Sequence, residues 1–441
     1  MKYVMIIPSG ISDGPVDELD GLTPMQAADM PNLSRLAGCG RLGTVETIPD
    51  GLAATPETGL LTLLGYEAEE ISSGRAGFTA IPLQVELDEN DWAISLAFVT
   101  VDPETNHLIH PTAGAIEPTE ARLLLESLSE VIGEELGESA ADLEFFTGHG
   151  GEYLLVDRSG QHRYDDLITM SPSDCVGKSI RKFVPHGGIV SRGESKESAR
   201  LLNTIMEISR RIFAEHEVNK TRRELGDPIA SQVWLWGAGK RAELVPFKKR
   251  FPGLRCAMVT MDDLAGGIAV AAGWDRLDVY DKAERVAIDD AADPDKASEI
   301  MMSLTTRRAE RAIRSGEYDL ITIYINAGGE VSFEGDFAGK IAILELIDRE
   351  VVGPVSSALR EVAGGESGLW RLFVVPEVCL LTQERRRDSR PVGFIIAGAH
   401  VQSVVHFDAF NEATAEEADL HIESGSDFLE YALYSGMPMR K

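Results

Sequence analysis

The sequence predicts an α/β fold: a doubly wound, mostly parallel sheet carrying an inserted α+β cap. Three observations predict it. The chain opens on an apolar strand, Tyr3 to Ile7, that feeds a loop and a helical pattern, the βα start of a parallel sheet. From Gln232 onward, short apolar runs alternate with helical stretches. Between these regions, Asp102 to Val190 changes to acid-rich helical and loop segments, read as an insertion. The expected organisation is a core of residues 1–101 and 191–441 with a cap of residues 102–190.

The elements follow in order. Pro24 to Leu36 is helical, interrupted at Pro31-Asn32. Thr55-Pro56-Glu57-Thr58 is a helix start: Thr55 can cap, Pro56 suits the first helical position, and Glu57 favours the positive end of the dipole. Trp92 to Val101 is an apolar strand. Glu194 to His216 carries Leu201, Ile205, Ile208 and Ile212 at helical spacing and forms a long helix back to the core. Val233–Trp236, Cys256–Val259, Leu320–Ile325, Leu372–Val375 and Val392–Ile396 have the length and bounding residues of buried parallel strands. Gly237-Ala-Gly-Lys240 lacks the spacing of a Walker or dinucleotide loop. Glu412 to Lys441 reads as an acidic surface segment ending in a short helix.

Composition excludes several classes. With 441 residues, 44% hydrophobic and 26% charged, the chain has the make-up of an ordinary globular protein. No apolar run approaches the ~20 residues that span a bilayer. The five-residue apolar start is too short for a signal-peptide core, so a cytoplasmic location is expected. A formal net charge of −30 argues against nucleic acid and anionic membranes as partners. Cys39, Cys175, Cys256 and Cys379 have no CxxC spacing and read as buried, reduced thiols. Among the histidines, His107, His110, His149, His162, His186, His216, His400, His406 and His421 show no HxxxH or HExxH spacing, which speaks against a second metal centre.

Landmarks along nearly the whole chain carry a resemblance. They are Gly10, Asp13, Pro15, Glu18-Leu19, Gly21, Thr23-Pro24, Pro31-Asn32 and Leu36-Ala37, then Pro49-Asp-Gly51 and Leu64-Gly-Tyr66. Gly74-Arg-Ala76, Asn219 with Arg222, Val233 to Lys240, and Gly335 to Lys340 running into Ile347-Asp348 complete the set. In this register the chain resembles the archaeal-type, cofactor-independent (2,3-bisphosphoglycerate-independent) phosphoglycerate mutases of the alkaline phosphatase superfamily. The resemblance implies an alkaline phosphatase type of core, a metalloenzyme fold. It also implies a site in which two manganese or zinc ions, held by carboxylates and imidazoles at strand ends, activate a serine. Matched residue by residue, the serine falls on Pro56, which has no hydroxyl. The metal-ligand positions fall on Ser9, Gly329, Phe333, Glu377, Val378 and Arg387, of which only Glu377 retains a strong donor. Positions resembling substrate contacts are altered as well: an Arg-Cys-Asn run matches Ser95-Leu96-Ala97, and a cap arginine matches Glu152.

The expectation is therefore a divergent, catalytically inactive homologue, a pseudoenzyme of acidic character with no metal of its own. It would bind a partner protein (a second copy or an active paralogue) or a phosphate- or carboxylate-bearing small molecule. Arg75, Lys240, Lys340 and Arg387 are the candidate anion-binding residues. The plainer reading of the Glu384 to Arg390 cluster is that its arginines pair with Glu384, Asp388 and Glu377 across an emptied site. The alternative is a divergent metal-dependent phosphomutase or phosphotransferase with a rebuilt site. That site would use Thr55 as nucleophile and a metal held through Glu57, Asp13, Asp336 or Glu377.

Overall fold

The computed structural model describes residues 1–68, 71, 73–114, 116–148, 152–188, 193–279, 294–402 and 406–436. The chain divides into two compact units: residues 1–70 with 245–441, and residues 71–244. The second unit is wider at both ends than the expected 102–190. The strands Trp92–Val101 and Gln232–Gly239, read as core strands, account for this, because they pair with each other in the second unit's sheet.

The first unit is built on an eight-stranded sheet in the order Asp275–Leu277, Cys256–Val259, Leu320–Asn326, Lys2–Ser9, Trp370–Val374, Val392–Gly398, Arg41–Val45, His421–Ile422. Its first five strands run parallel. Lys2–Ser9 sits between Leu320–Asn326 and Trp370–Val374, with Ser9 opposite Asn326 and Ile6 opposite Val374. The opening strand is thus buried on both faces, and Val4 to Ile7 are wholly inaccessible. Val392–Gly398, expected to be parallel, is antiparallel to both neighbours. An apolar run of that length fits either direction, so periodicity does not distinguish them. Val4, Ile6, Ile321, Ile323, Leu372 and Val374 anchor the core of this unit.

The described part of the acidic tail, residues 412–436, is not simply a surface segment. His421–Ile422 extends the main sheet, and Gly425–Tyr434 is a helix that buries Phe428, Leu429, Ala432 and Leu433. The helix expected over Pro24–Leu36 forms as two, Pro24–Ala27 and Pro31–Cys39, because Pro31 starts a new helix. Cys39 is exposed, a correction to the expected burial, whereas Cys175, Cys256 and Cys379 are buried.

The second unit holds a five-stranded antiparallel sheet of Leu108–His110, Trp92–Val101, Tyr153–Asp157 and Leu143–Thr147, with Gln232–Gly239 against Trp92–Val101. The helices Pro118–Leu136 and Gly193–Phe213 cover it, and of the predicted stripe Leu201, Ile205 and Ile208 lie in the core and Ile212 packs against it, joined by Leu202. Asn219 and Arg222 tie separate backbone segments together here. The Asn219 amide donates to Phe213 O and Ala230 O and accepts from Ala230 N. Arg222 donates to Pro228 O and Ala113 O and pairs with Glu120 at 2.7 Å. No described helix is long and apolar enough to cross a membrane.

Candidate functional site

The carboxyl edge of the parallel strands is where an open α/β sheet presents its ligands. In the first unit that edge brings together Ser9, Asn326, Glu377 and the loop after Val259. The approach is close enough to require glycine. Gly10 has φ +72°, and a Cβ there would lie 2.9 Å from the Gly328 carbonyl carbon. This brings the helix Gly328–Glu334, with Gly329 and Phe333, directly onto the end of the first strand.

Glu377 is completely buried. Its Oε1 accepts from the Ser9 hydroxyl at 2.5 Å and from the Tyr324 hydroxyl at 3.4 Å, while Oε2 is buried with no hydrogen-bond partner. Burial pushes its pKa up to about 7; the Ser9 hydrogen bond and the Arg387 charge oppose this, and Asp262 reinforces it. Arg387 stands on a two-stranded hairpin, Cys379–Leu381 with Arg386–Asp388, paired opposite Leu380. Its guanidinium carbon lies 4.8 Å from the centre of the buried Phe333 ring, a cation–π contact. Val378 is also buried. The neighbouring Arg386 pairs with Glu384 and Asp388, and Arg390 with Asp388, so these two stay within the hairpin.

Pro56 occupies the first turn of the helix Pro56–Leu63. The Thr55 hydroxyl caps that helix, accepting from Thr58 N at 3.3 Å and lying 3.0 Å from the Thr58 hydroxyl. A capping geometry gives Thr55 a structural task, in keeping with its β-region backbone.

Lys340 departs from its expected role. Its ammonium is fully buried and donates to Asp13 Oδ2 at 2.7 Å, Leu380 O at 2.9 Å and the Thr382 hydroxyl at 3.2 Å, which uses all three protons. It is an internal counter-ion and offers nothing to an incoming anion. Asp13, a candidate metal ligand in the alternative reading, is committed to this pair and to Thr382 N and Gly14 N. Asp336 caps the helix Phe337–Ile347 through Gly339 N.

Arg75 and Lys240 lie in the second unit. Arg75 pairs with Glu152 at 3.1 Å, so a carboxylate of the chain itself faces the guanidinium. Lys240 donates to Glu89 O at 3.0 Å and sits 5.3 Å from the Trp92 ring centre. Among the histidines, His162 bonds Asp157 at 2.6 Å, His216 caps a helix and His406 lies 2.8 Å from Gly38 O; His149 lies outside the described residues. Reading the residues alone missed the Ser9–Glu377 bond, although both fall on matched ligand positions. It also missed the Asp13–Lys340 pair, whose members both stand among the landmarks.

The two divalent cations implied by the resemblance do not fit these residues. At the matched positions Glu377 is the only strong donor, surrounded by a serine, a glycine, a phenylalanine, a valine and an arginine. Among the described residues no group of three or more His, Cys, Asp or Glu could hold a metal ion. A guanidinium beside the carboxylate is itself the wrong charge for a cation's neighbour.

Comparison with known proteins places this geometry. A family profile described as 2,3-bisphosphoglycerate-independent phosphoglycerate mutase matches residues 37–219. The chain is 30% identical to the 2,3-bisphosphoglycerate-independent phosphoglycerate mutase of Methanothrix thermoacetophila over 97% of its own length and 98% of that protein. It is 30% identical to the phosphoglycerate mutase 2 of Methanothermobacter thermautotrophicus, over 95% and 94% respectively. The solved structure of the PH0037 protein from Pyrococcus horikoshii shares the fold, with a TM-score of 0.68, 20% identity, and coverage of 100% of this chain and 99% of that one. With relatives at 30% identity matched nearly end to end, the chain belongs to the 2,3-bisphosphoglycerate-independent phosphoglycerate mutase family.

Proposed function

We propose that this chain has given up metal-dependent phosphoryl transfer and works as a pseudoenzyme, by binding a partner protein or an anionic metabolite. One observation supports the reading: at the sheet edge where the family's chemistry would take place, the matched positions carry side chains engaged with the protein itself, and Glu377 Oε2 is the one strong donor atom there left unpartnered. Ser9 bonds Glu377, Arg387 covers Phe333, and Val378 is buried. Pro56 supplies no nucleophile, and Thr55 is engaged in capping.

The landmarks support the same reading. Asp13–Lys340, Asn32–Asp348 and the Asn219 and Arg222 networks are buried scaffold ties. What the chain keeps is what holds the backbone, and what it lacks is what would hold metal and phosphate. A catalytic alternative draws on the unpartnered Glu377 Oε2 and its electrostatic coupling to Asp262, two carboxyls from which a metal site could be rebuilt.

Elemental analysis for manganese and zinc on protein purified without chelator, with a phosphoglycerate mutase assay in added manganese, separates the two. Absence of both metal and turnover is the expected result. About two ions per chain with turnover would overturn it and assign the chain an enzymatic role.

A further inference from the structure

At the amino-terminal edge of the parallel strands, the opposite end from Glu377, two guanidinium groups stand with few counter-charges. Arg371 is completely buried in the strand Trp370–Val374. It donates to Ala399 O at 2.9 Å, to Ala432 O at 2.7 Å, to the Ser435 hydroxyl at 3.5 Å and to Ser435 O. All these acceptors are neutral, and among the described residues no carboxylate pairs with it. The carbonyls at the end of the helix Gly425–Tyr434 offset part of its charge through the negative end of the dipole.

Arg41 begins the strand Arg41–Val45, paired opposite Ile396. Its Nη2 lies 3.3 Å from Asp419, a mostly exposed carboxylate, while its Nε is buried and has no partner. Arg41, His400, Gln402, Tyr431 and Ser435 line a cavity of about 200 Å³. The His400, Gln402 and Tyr431 side chains have no hydrogen-bond partner among the described residues. The lining thus includes an arginine, an amide, a phenol and an imidazole, all able to donate a hydrogen bond, and among the described residues no carboxylate lines the cavity.

We propose that this cavity binds a small oxyanion, a phosphate or carboxylate group. The volume is several times the ~30 Å³ share of one water, which suits a single oxyanion with a few further atoms. In a chain of net charge −30, long-range attraction for an anion is absent. Affinity then rests on charge-assisted hydrogen bonds from Arg41, with the Arg371 charge behind it, and these act at contact range. The cavity lies at the other end of the strands from Ser9 and Glu377, so the proposal stands independently of whether phosphoryl transfer has been lost.

Titration calorimetry of the full chain with inorganic phosphate, and separately with malonate, tests it at fixed ionic strength. Saturable one-site binding of either anion is expected, weakened about tenfold by Arg41→Gln and less by Tyr431→Phe, which keeps the ring and removes only the hydroxyl. Arg307→Gln, an exposed arginine on the helix Pro294–Ser315, is the control and should leave binding unchanged. Should Arg41→Gln fail to fold, Tyr431→Phe and the anion dependence of wild-type thermal stability carry the test. No saturation by either anion up to about 20 mM, or binding undiminished in both cavity variants, would overturn the proposal.

Discussion

Glu377→Gln should reveal a buried proton. In the folded chain burial holds the Glu377 pKa at about 7, against an ordinary value of 4.5. Between those two pH values the folded chain holds a proton that the unfolded chain has released. The stability Glu377 contributes is thus fully present below about pH 4.5 and is lost as pH rises through about 7. The difference of roughly 2.5 pH units corresponds to about 3 kcal/mol, at about 1.4 kcal/mol per unit. Glutamine keeps the shape and an oxygen to accept the Ser9 hydroxyl, and it cannot ionise. The variant should match wild type near pH 4.5 and exceed it by up to about 3 kcal/mol at pH 8, equivalent to a melting-temperature gap of about 5 °C. Thermal or urea unfolding of both proteins at half-unit steps from pH 4.5 to 8 measures this. The remaining carboxyl groups are common to both proteins, so their titration cancels in the difference. A constant offset across the range would refute the reasoning, since it would mean that Glu377 ionises alike in both states. A variant less stable at pH 8 than at pH 5 relative to wild type would mean that the Arg387 charge, not burial, governs the site.

Other substitutions test the surrounding scaffold. Lys340→Met and Asp13→Leu should each destabilise by about 3–5 kcal/mol in urea unfolding, because each leaves a buried charge without its partner; the double variant should recover a large part of that loss. Gly59→Ala should destabilise by about 1–3 kcal/mol despite alanine's helix propensity, since a Cβ at Gly59 would lie 2.0 Å from Glu377 O; a stabilised protein would contradict the close approach. Pro56→Ser should change stability by less than about 1 kcal/mol and restore no mutase activity with manganese, because a hydroxyl alone supplies no metal ligands.

Much of the fold was legible because buried strands have a length and composition that few other elements share. Tyr3–Ile7, Cys256–Val259 and Leu320–Ile325 were placed correctly on that ground. The same signal says nothing about which sheet a strand joins or in which direction. Val233–Trp236 therefore went to the wrong unit, and Val392–Ile396 to the wrong orientation. In the tail the expected short helix forms, as Gly425–Tyr434, but acidic composition hid that Phe428, Leu429, Ala432 and Leu433 make a buried face on it. At the site, the positions matched by the resemblance are readable one by one. Partnerships across long separations were not, and so Lys340, 327 residues from Asp13, looked like an available cation when it is a buried tie.

On the proposed reading, the contrast between Lys340 and Glu377 bears on how a site would decay. Asp13 and Lys340 are both acid–base groups near strand ends, and residue type alone makes them as suggestive of chemistry as Glu377. Their geometry differs in kind. Every Lys340 proton is spent on the protein, so losing either partner would cost folding stability whether or not phosphoryl groups were transferred. Glu377 keeps one oxygen unpartnered, and its burial works against its charge. With two cations beside it, a carboxylate there would be held ionised. Without bound cations, a proton taken up at Glu377 and the Arg387 charge would balance it, while Phe333 and Val378 are buried apolar residues at the matched positions. On the proposed reading, scaffold ties such as Asp13–Lys340 outlast the reaction because the fold needs them, whereas metal ligands left without ions would be buried charges that the fold is better off replacing.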